Sequence, residues 1–75
     1  MKIGELRCGD KAQVTGYCDR SDCVMRLCEM GLTLGTEFQV TKIAPLGDPV
    51  ELCFRCQKLV VRSAEVSGID VEKVG

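Results

Sequence analysis

Apolar residues recur at two different intervals along this chain, and the change of interval marks where a helix interrupts a set of strands. Over "DKAQVTGYC", Asp10 to Cys18, Ala12 and Val14 alternate with polar neighbours and share one face, as in a short strand. Gly16 predicts a bulge or bend near its end. In "DRSDCVMRLCEMGL", Asp19 to Leu32, the interval lengthens. Val24, Leu27 and Cys28 stand at i, i+3 and i+4, Cys23 and Met30 widen the same arc, and Asp22, Arg26 and Glu29 take the other side. The spacing predicts a helix over Asp22 to Met30. Asp19 or Ser21 would accept its first orphan N–H groups, and Gly31 would end it at the left-handed C′ position.

Alternation returns after the helix. Phe38 and Val40 point inward on a strand from Thr36 to Ile43, and Val50, Leu52 and Phe54 on one from Val50 to Arg55, followed by a strand from Lys58 to Arg62. Gly35 turns the chain out of the helix. The segment "APLGDP" holds both prolines of the chain and a glycine, which makes it a loop. "SAEVSG" reads as a single helical turn and "IDVEK" as a last strand with Ile69 and Val71 inward. The predicted class is mainly β: a small, nearly closed barrel of about five strands with one short α-helix inserted after the first.

Composition narrows what such a domain can do. The 75 residues make one small domain with a thin core. A content of 45% hydrophobic and 28% charged residues with net charge -1 is that of an ordinary globular chain. Its cations are scattered among acidic and apolar neighbours, whereas gripping a phosphate backbone needs them clustered; no nucleic-acid partner is expected. The opening "MKIGELRCGD" lacks the apolar stretch of a signal peptide, and no apolar run approaches the roughly 20 residues of a membrane span. The expectation is a cytoplasmic protein without direct membrane insertion. A reducing cytosol keeps the six cysteines as thiols, so burial, metal ligation or redox work are their possible roles.

At "LCEMGLTLGTEFQVTKIAPLGDPVELCFRCQKLVVRSAEVSGIDVE" the chain resembles the FeoA family. Glu29, Met30, Gly31, Leu32, Gly35 and the loop Pro45, Leu46, Gly47, Asp48, Pro49 carry the resemblance, which with "GDKAQVTG" upstream covers almost the whole chain. The resemblance implies an SH3-like barrel, cytosolic and non-enzymatic. It also implies a role as accessory to the membrane ferrous-iron transporter FeoB, which carries a GTP-binding domain on its cytosolic side. The same fold closes iron-dependent repressors, but no winged-helix segment stands before it here, so a stand-alone repressor is not expected. Activation, inhibition and scaffolding of the transporter are all compatible with the sequence, and a short edge strand would allow self-association.

A helix packed across one end of a barrel through Leu27 and Met30 would leave an apolar groove beside it, with Met30, Leu32, Leu34 and Leu46 as its expected lining. Leu46, between Pro45 and Gly47 at a loop tip, has no core to fill and is the strongest candidate for partner contact, with Asp48 beside it. The acidic residues Glu37, Asp48, Glu51, Glu65, Asp70 and Glu72 read as solvated faces of strands and loops. The chain has no histidine to join them around an iron ion, no phosphate-cradling glycine loop and no serine elbow.

The cysteines leave three readings open. Cys23 and Cys28 lie about 140° apart around a helix and so do not chelate one ion easily. Cys8 and Cys18 say little by position. In "CFRC", alternation puts Leu52 and Phe54 inside and Cys53 outside, while Cys56 falls at a turn where the family commonly has glycine. Such a pair can be incidental, can offer two thiolates to Fe²⁺ or Zn²⁺ in a metal-binding or metal-sensing domain, or can act as a redox dithiol. A closed metal site wants four ligands, and redox motifs of this spacing usually begin at a helix N-terminus rather than on a strand. No cofactor is required by the leading reading.

Overall fold

The structure, a computed structural model, describes residues 1–18 and 21–74. Five strands and one helix follow the predicted order: β1 Lys11–Tyr17, α1 Asp22–Glu29, β2 Glu37–Ile43, β3 Val50–Phe54, β4 Gln57–Val61 and β5 Ile69–Val74. Strand ends differ from expectation by a residue at most. All pairings are antiparallel, in the order β4-β3-β2-β1-β5. No ladder joins β4 to β5 among the described residues, so the barrel stays open along that seam.

Two bulges curl the sheet. The β1–β5 register slips between Val14 and Gly16, leaving Thr15 extra at the place the glycine predicts, and the β2–β3 register slips between Val40 and Lys42, leaving Thr41 extra. An extra residue on one strand bends it and tightens the local twist. The concave face so formed collects the core: Ala12 and Val14 from β1, Phe38 and Val40 from β2, Val50, Leu52 and Phe54 from β3, Val61 from β4, and Ile69 and Val71 from β5. In β3 the alternation is complete, with Glu51 and Cys53 on the outer side.

An eight-residue helix is too short to persist alone in water, so α1 depends on its apolar stripe. Val24 and Leu27 are the buried members of that stripe, and Cys28 packs against the core from its edge. Met30 does not help dock the helix: it is the C-cap residue and remains 44% exposed. At the other end the Ser21 side chain accepts the Val24 N–H, and Asp19 lies outside the described residues.

The helix stops by a Schellman motif. The Leu32 N–H donates to the Leu27 carbonyl at 3.0 Å and the Gly31 N–H to the Cys28 carbonyl at 3.1 Å. Gly31 sits at φ 109, a backbone angle that favours glycine, and a Cβ there would stand a tight 3.3 Å from the Phe54 ring.

"SAEVSG" forms the single turn expected of it, the Val66 N–H reaching the Arg62 carbonyl four residues back, within a run of turns pinned by the buried Val66. One segment departs from the sequence reading. The N-terminal residues are part of the fold: a 3₁₀ turn at Ile3–Glu5 buries Ile3, Leu6 is buried behind it, and the Val71 N–H donates to the Met1 carbonyl. Three residues of 3₁₀ turn are too few to show a period, which is why the sequence pattern hides them.

Candidate functional site

The residues expected to line one groove do not share one. Leu32 has 0% exposure; it is core, and it cannot line an open surface. The Schellman motif accounts for this, because its Leu32–Leu27 pairing turns the side chain after Gly31 inward. Met30 instead borders a shallow depression with Phe54, Gln57, Lys58 and Leu59, where the Gln57 side-chain amide donates to the Met30 carbonyl at 3.3 Å. Leu34 is 63% exposed in the turn before β2.

Leu46 stands at the far end of β3 from Met30. Strand rise puts those ends about 13 Å apart from Val50 to Phe54 alone. At 96% exposure it is the most exposed of the large apolar residues described. The loop that carries it is held at both sides: the Ala44 N–H donates to the Pro49 carbonyl, the Gly47 N–H to the Ala44 carbonyl, and Asp48 Oδ1 accepts the Ser63 N–H at 2.8 Å and the Ser63 hydroxyl at 3.2 Å. Asp48 therefore ties the β2–β3 loop to the connection between β4 and β5, a structural task the sequence did not reveal.

Beside this loop runs a groove of about 470 Å³ on the outer face of the sheet, bounded by Cys8, Ile43, Ala44, Pro49 and Val60, with Lys42 and Glu51 at its side. Ile43, Val60 and Cys8 were not singled out from the pattern. Val60 carried a signal nonetheless, since it follows Leu59 on a strand whose alternation can bury only one of the two. An exposed leucine on a loop whose ends, Ala44 and Pro49, border an apolar groove is what a docking surface for a partner's apolar side chains needs.

At the hairpin tip, Cys53 lies half-buried on the outer side of β3, opposite Gln39 and Lys58, and Cys56 is exposed. Arg55 and Cys56 form the two-residue turn with φ 50 and φ 63, the doubly left-handed geometry of a type I′ turn. No group of three or more His, Cys, Asp or Glu side chains able to hold a metal ion occurs among the described residues. Cys53 and Cys56 are thus two ligands at most from among the described residues.

Of the acidic residues read as solvated, Asp70 is engaged. It pairs with Lys2 at 2.7 Å and accepts the Cys18 thiol at 3.0 Å; these contacts hold its carboxyl below the usual range, the thiol contributing most, and the carboxylate in turn raises Lys2. Glu51 accepts the Thr41 hydroxyl at 2.7 Å and Glu65 the Arg62 N–H at 3.0 Å. Tyr17, at the end of β1, is pushed up to about 12 by burial and by the neighbouring Cys28 thiol.

With this geometry in view, comparison with known proteins decides the family. A model of the FeoA domain matches residues 1–73. The chain belongs to the FeoA family. It is 31% identical over 74 residues to a Fe(2+) transport protein A/Fe(2+) transporter FeoB fusion protein of Porphyromonas gingivalis, covering 99% of this chain and 9% of that one. The chain thus spans under a tenth of the length of that curated relative. The solution structure of FeoA from Chlorobium tepidum superposes with a TM-score of 0.88 at 37% identity, over 100% of this chain and 71% of that chain. For fold alone, Stenotrophomonas maltophilia FeoA complexed with zinc, a prokaryotic SH3 domain protein, superposes with a TM-score of 0.82 at 24% identity, over 96% and 89% of the two chains. The expected SH3-like fold and family membership are both borne out, and with them an association with ferrous-iron transport. The family is one of small transport-associated domains rather than of enzymes. No helix described here is long and apolar enough to cross a membrane.

Proposed function

We propose that this FeoA-family chain is a cytosolic accessory of a FeoB-type ferrous-iron transporter, which it binds at the cytosolic GTP-binding region and modulates. The observation that carries the reading is the Porphyromonas relative, in which a FeoA-like segment and a FeoB transporter share one polypeptide. Covalent linkage holds two domains at high effective concentration, an arrangement suited to domains that act on each other. The surface that fits this role is the exposed Leu46 tip together with the apolar groove bordered by Ala44 and Pro49 of the same loop. The test is calorimetric titration of the chain against the transporter's GTP-binding region in three states: nucleotide-free, with GDP and with a non-hydrolysable GTP analogue. Saturable binding whose affinity changes with nucleotide is expected; heat-silent titrations in all three states, with no shift on gel filtration, would sink the reading.

A second reading, transition-metal binding or sensing through thiolates, rests on one hairpin carrying both Cys53, on β3, and Cys56, in its turn. Two thiolates from this chain would need further ligands from water or another molecule to complete a tetrahedral Zn²⁺ or Fe²⁺ site. Anaerobically purified protein carrying metal that Cys53→Ser releases would favour it, and metal-free, fully folded protein would remove it.

A further inference from the structure

By position alone Cys18 has no role and Asp70 reads as a solvated carboxylate, yet the fold brings both to Lys2. All three backbones are fixed. Lys2 bridges to Asp70 beside the start of β5, and the Cys18 N–H donates to the Gly68 carbonyl at 2.7 Å. The side chains close a triangle: Lys2 Nζ lies 2.7 Å from Cys18 Sγ and 2.7 Å from Asp70 Oδ1, and Cys18 Sγ lies 3.0 Å from Asp70 Oδ2. A nitrogen 2.7 Å from its partner is at the short limit even for an oxygen acceptor, and sulfur is larger. The pair is already inside the roughly 3–3.5 Å at which reacting atoms are poised. Cys18 is exposed, so a small oxidant reaches it.

We propose that Lys2 and Cys18 form a reversible, oxidation-dependent covalent link, a sulfenamide between Lys2 Nζ and Cys18 Sγ, with hydrogen peroxide as the oxidant. Peroxide first takes two electrons from sulfur, converting the thiol to a sulfenic acid and releasing one water; sulfenic acids condense with a nearby nitrogen. Asp70 holds the amine against the sulfur, and the ammonium loses its proton to solvent. The nitrogen then attacks sulfur, an S–N bond forms, the S–O bond breaks, and the hydroxyl leaves as a second water. The sum is thiol plus amine plus one peroxide giving sulfenamide plus two waters, with the ammonium's extra proton released to solvent. A thiol reductant cleaves the S–N bond and restores both side chains.

The link would clasp the N-terminal segment, whose Ile3 and Leu6 are core, to the end of β1 across β5. Other thiols are differently placed: Cys8 donates to the Thr41 carbonyl at 3.3 Å, a group that cannot condense with a sulfenic acid.

The experiment treats the fully reduced chain with hydrogen peroxide, blocks the remaining thiols under denaturing conditions and maps peptides by tandem mass spectrometry. The expected product joins the Lys2 and Cys18 peptides with the loss of two hydrogens from their summed mass, and dithiothreitol reverses it. Lys2→Arg keeps the ion pair to Asp70 but supplies a poorly nucleophilic guanidinium, so it should abolish the link and leave a Cys18 sulfenic acid that dimedone traps, in protein whose circular dichroism is unchanged. The proposal is overturned if oxidised wild-type chain keeps Lys2 free to acylating reagents while Cys18 ends as sulfinic acid or in a disulfide with another cysteine.

Discussion

Two apolar sequences, "EMGL" at the end of α1 and "APLGDP" between β2 and β3, sit at opposite ends of β3 and solve opposite problems. At the first, the Schellman turn carries Leu32 into the core and closes the gap between α1 and the hairpin with Gly31 against Phe54. At the second, the chain is pinned by its own backbone and by Asp48, yet Leu46 is held away from every core residue. Each stretch holds one leucine, one glycine and one acidic residue. What differs is where the fixed backbone points the leucine, and that separates a residue that holds the fold from one available to a partner.

The sharpest way to break this contrast is to truncate the two leucines in parallel. Leu32→Ala should lower stability by about 2–5 kcal/mol, the range for emptying a fully packed leucine site. Leu46→Ala should stay within about 0.5 kcal/mol of the parent, because no buried contact is lost. Urea titrations of the two variants check it. Equal losses would mean that Leu46 is buried in solution and that the two ends of β3 are not distinct.

Next in size is the effect on association. Leu46→Glu places a charge on the exposed tip without touching the core, so the melting temperature should not move. Binding to the transporter's GTP-binding region should weaken by about 2 kcal/mol, the loss typical of a central apolar contact, or roughly thirtyfold in Kd. Undiminished binding with an unchanged melting temperature would move the docking surface elsewhere, with the depression around Met30 the next surface to alter.

How much of this contrast the sequence carried follows from the range of the interactions involved. Ala12 and Val14, the Val24–Leu27 stripe, the Ser21 cap, the Gly31 stop and the period-two run through β3 are set by neighbours within one turn or one strand, so they were legible. Leu46 was legible because prolines and glycine leave a loop tip no interior. Leu32 was not: loop leucines have no period, and its direction depends on bonds that form only as the helix ends. Asp48–Ser63 and Lys2–Cys18–Asp70 join residues far apart in sequence, and no local pattern announces such partners. The buried Ile3 and Leu6 were hidden for the same reason, since they pack beside β5 from the other end of the chain.

The smallest predicted effects concern the two turns that bound β3. Gly47 adopts φ 88 in the loop and Cys56 adopts φ 63 in the hairpin, so both positions ask for a left-handed residue and only one has glycine. For a residue with a Cβ that conformation costs about 1–2 kcal/mol, while glycine gives back roughly half of the gain through its greater freedom in the unfolded chain. Cys56→Gly should therefore raise stability by about 0.5–1 kcal/mol, and Gly47→Ala should lower it by about 1 kcal/mol. Differential scanning calorimetry of the pair checks both signs. A stabilised Cys56→Gly protein that still binds the transporter's GTP-binding region would show that the hairpin thiol is dispensable for docking and is held there at a cost to the fold. A destabilised one would mean that Cys56 makes a contact, with Cys53 or with a bound metal, that outweighs the strain of its turn.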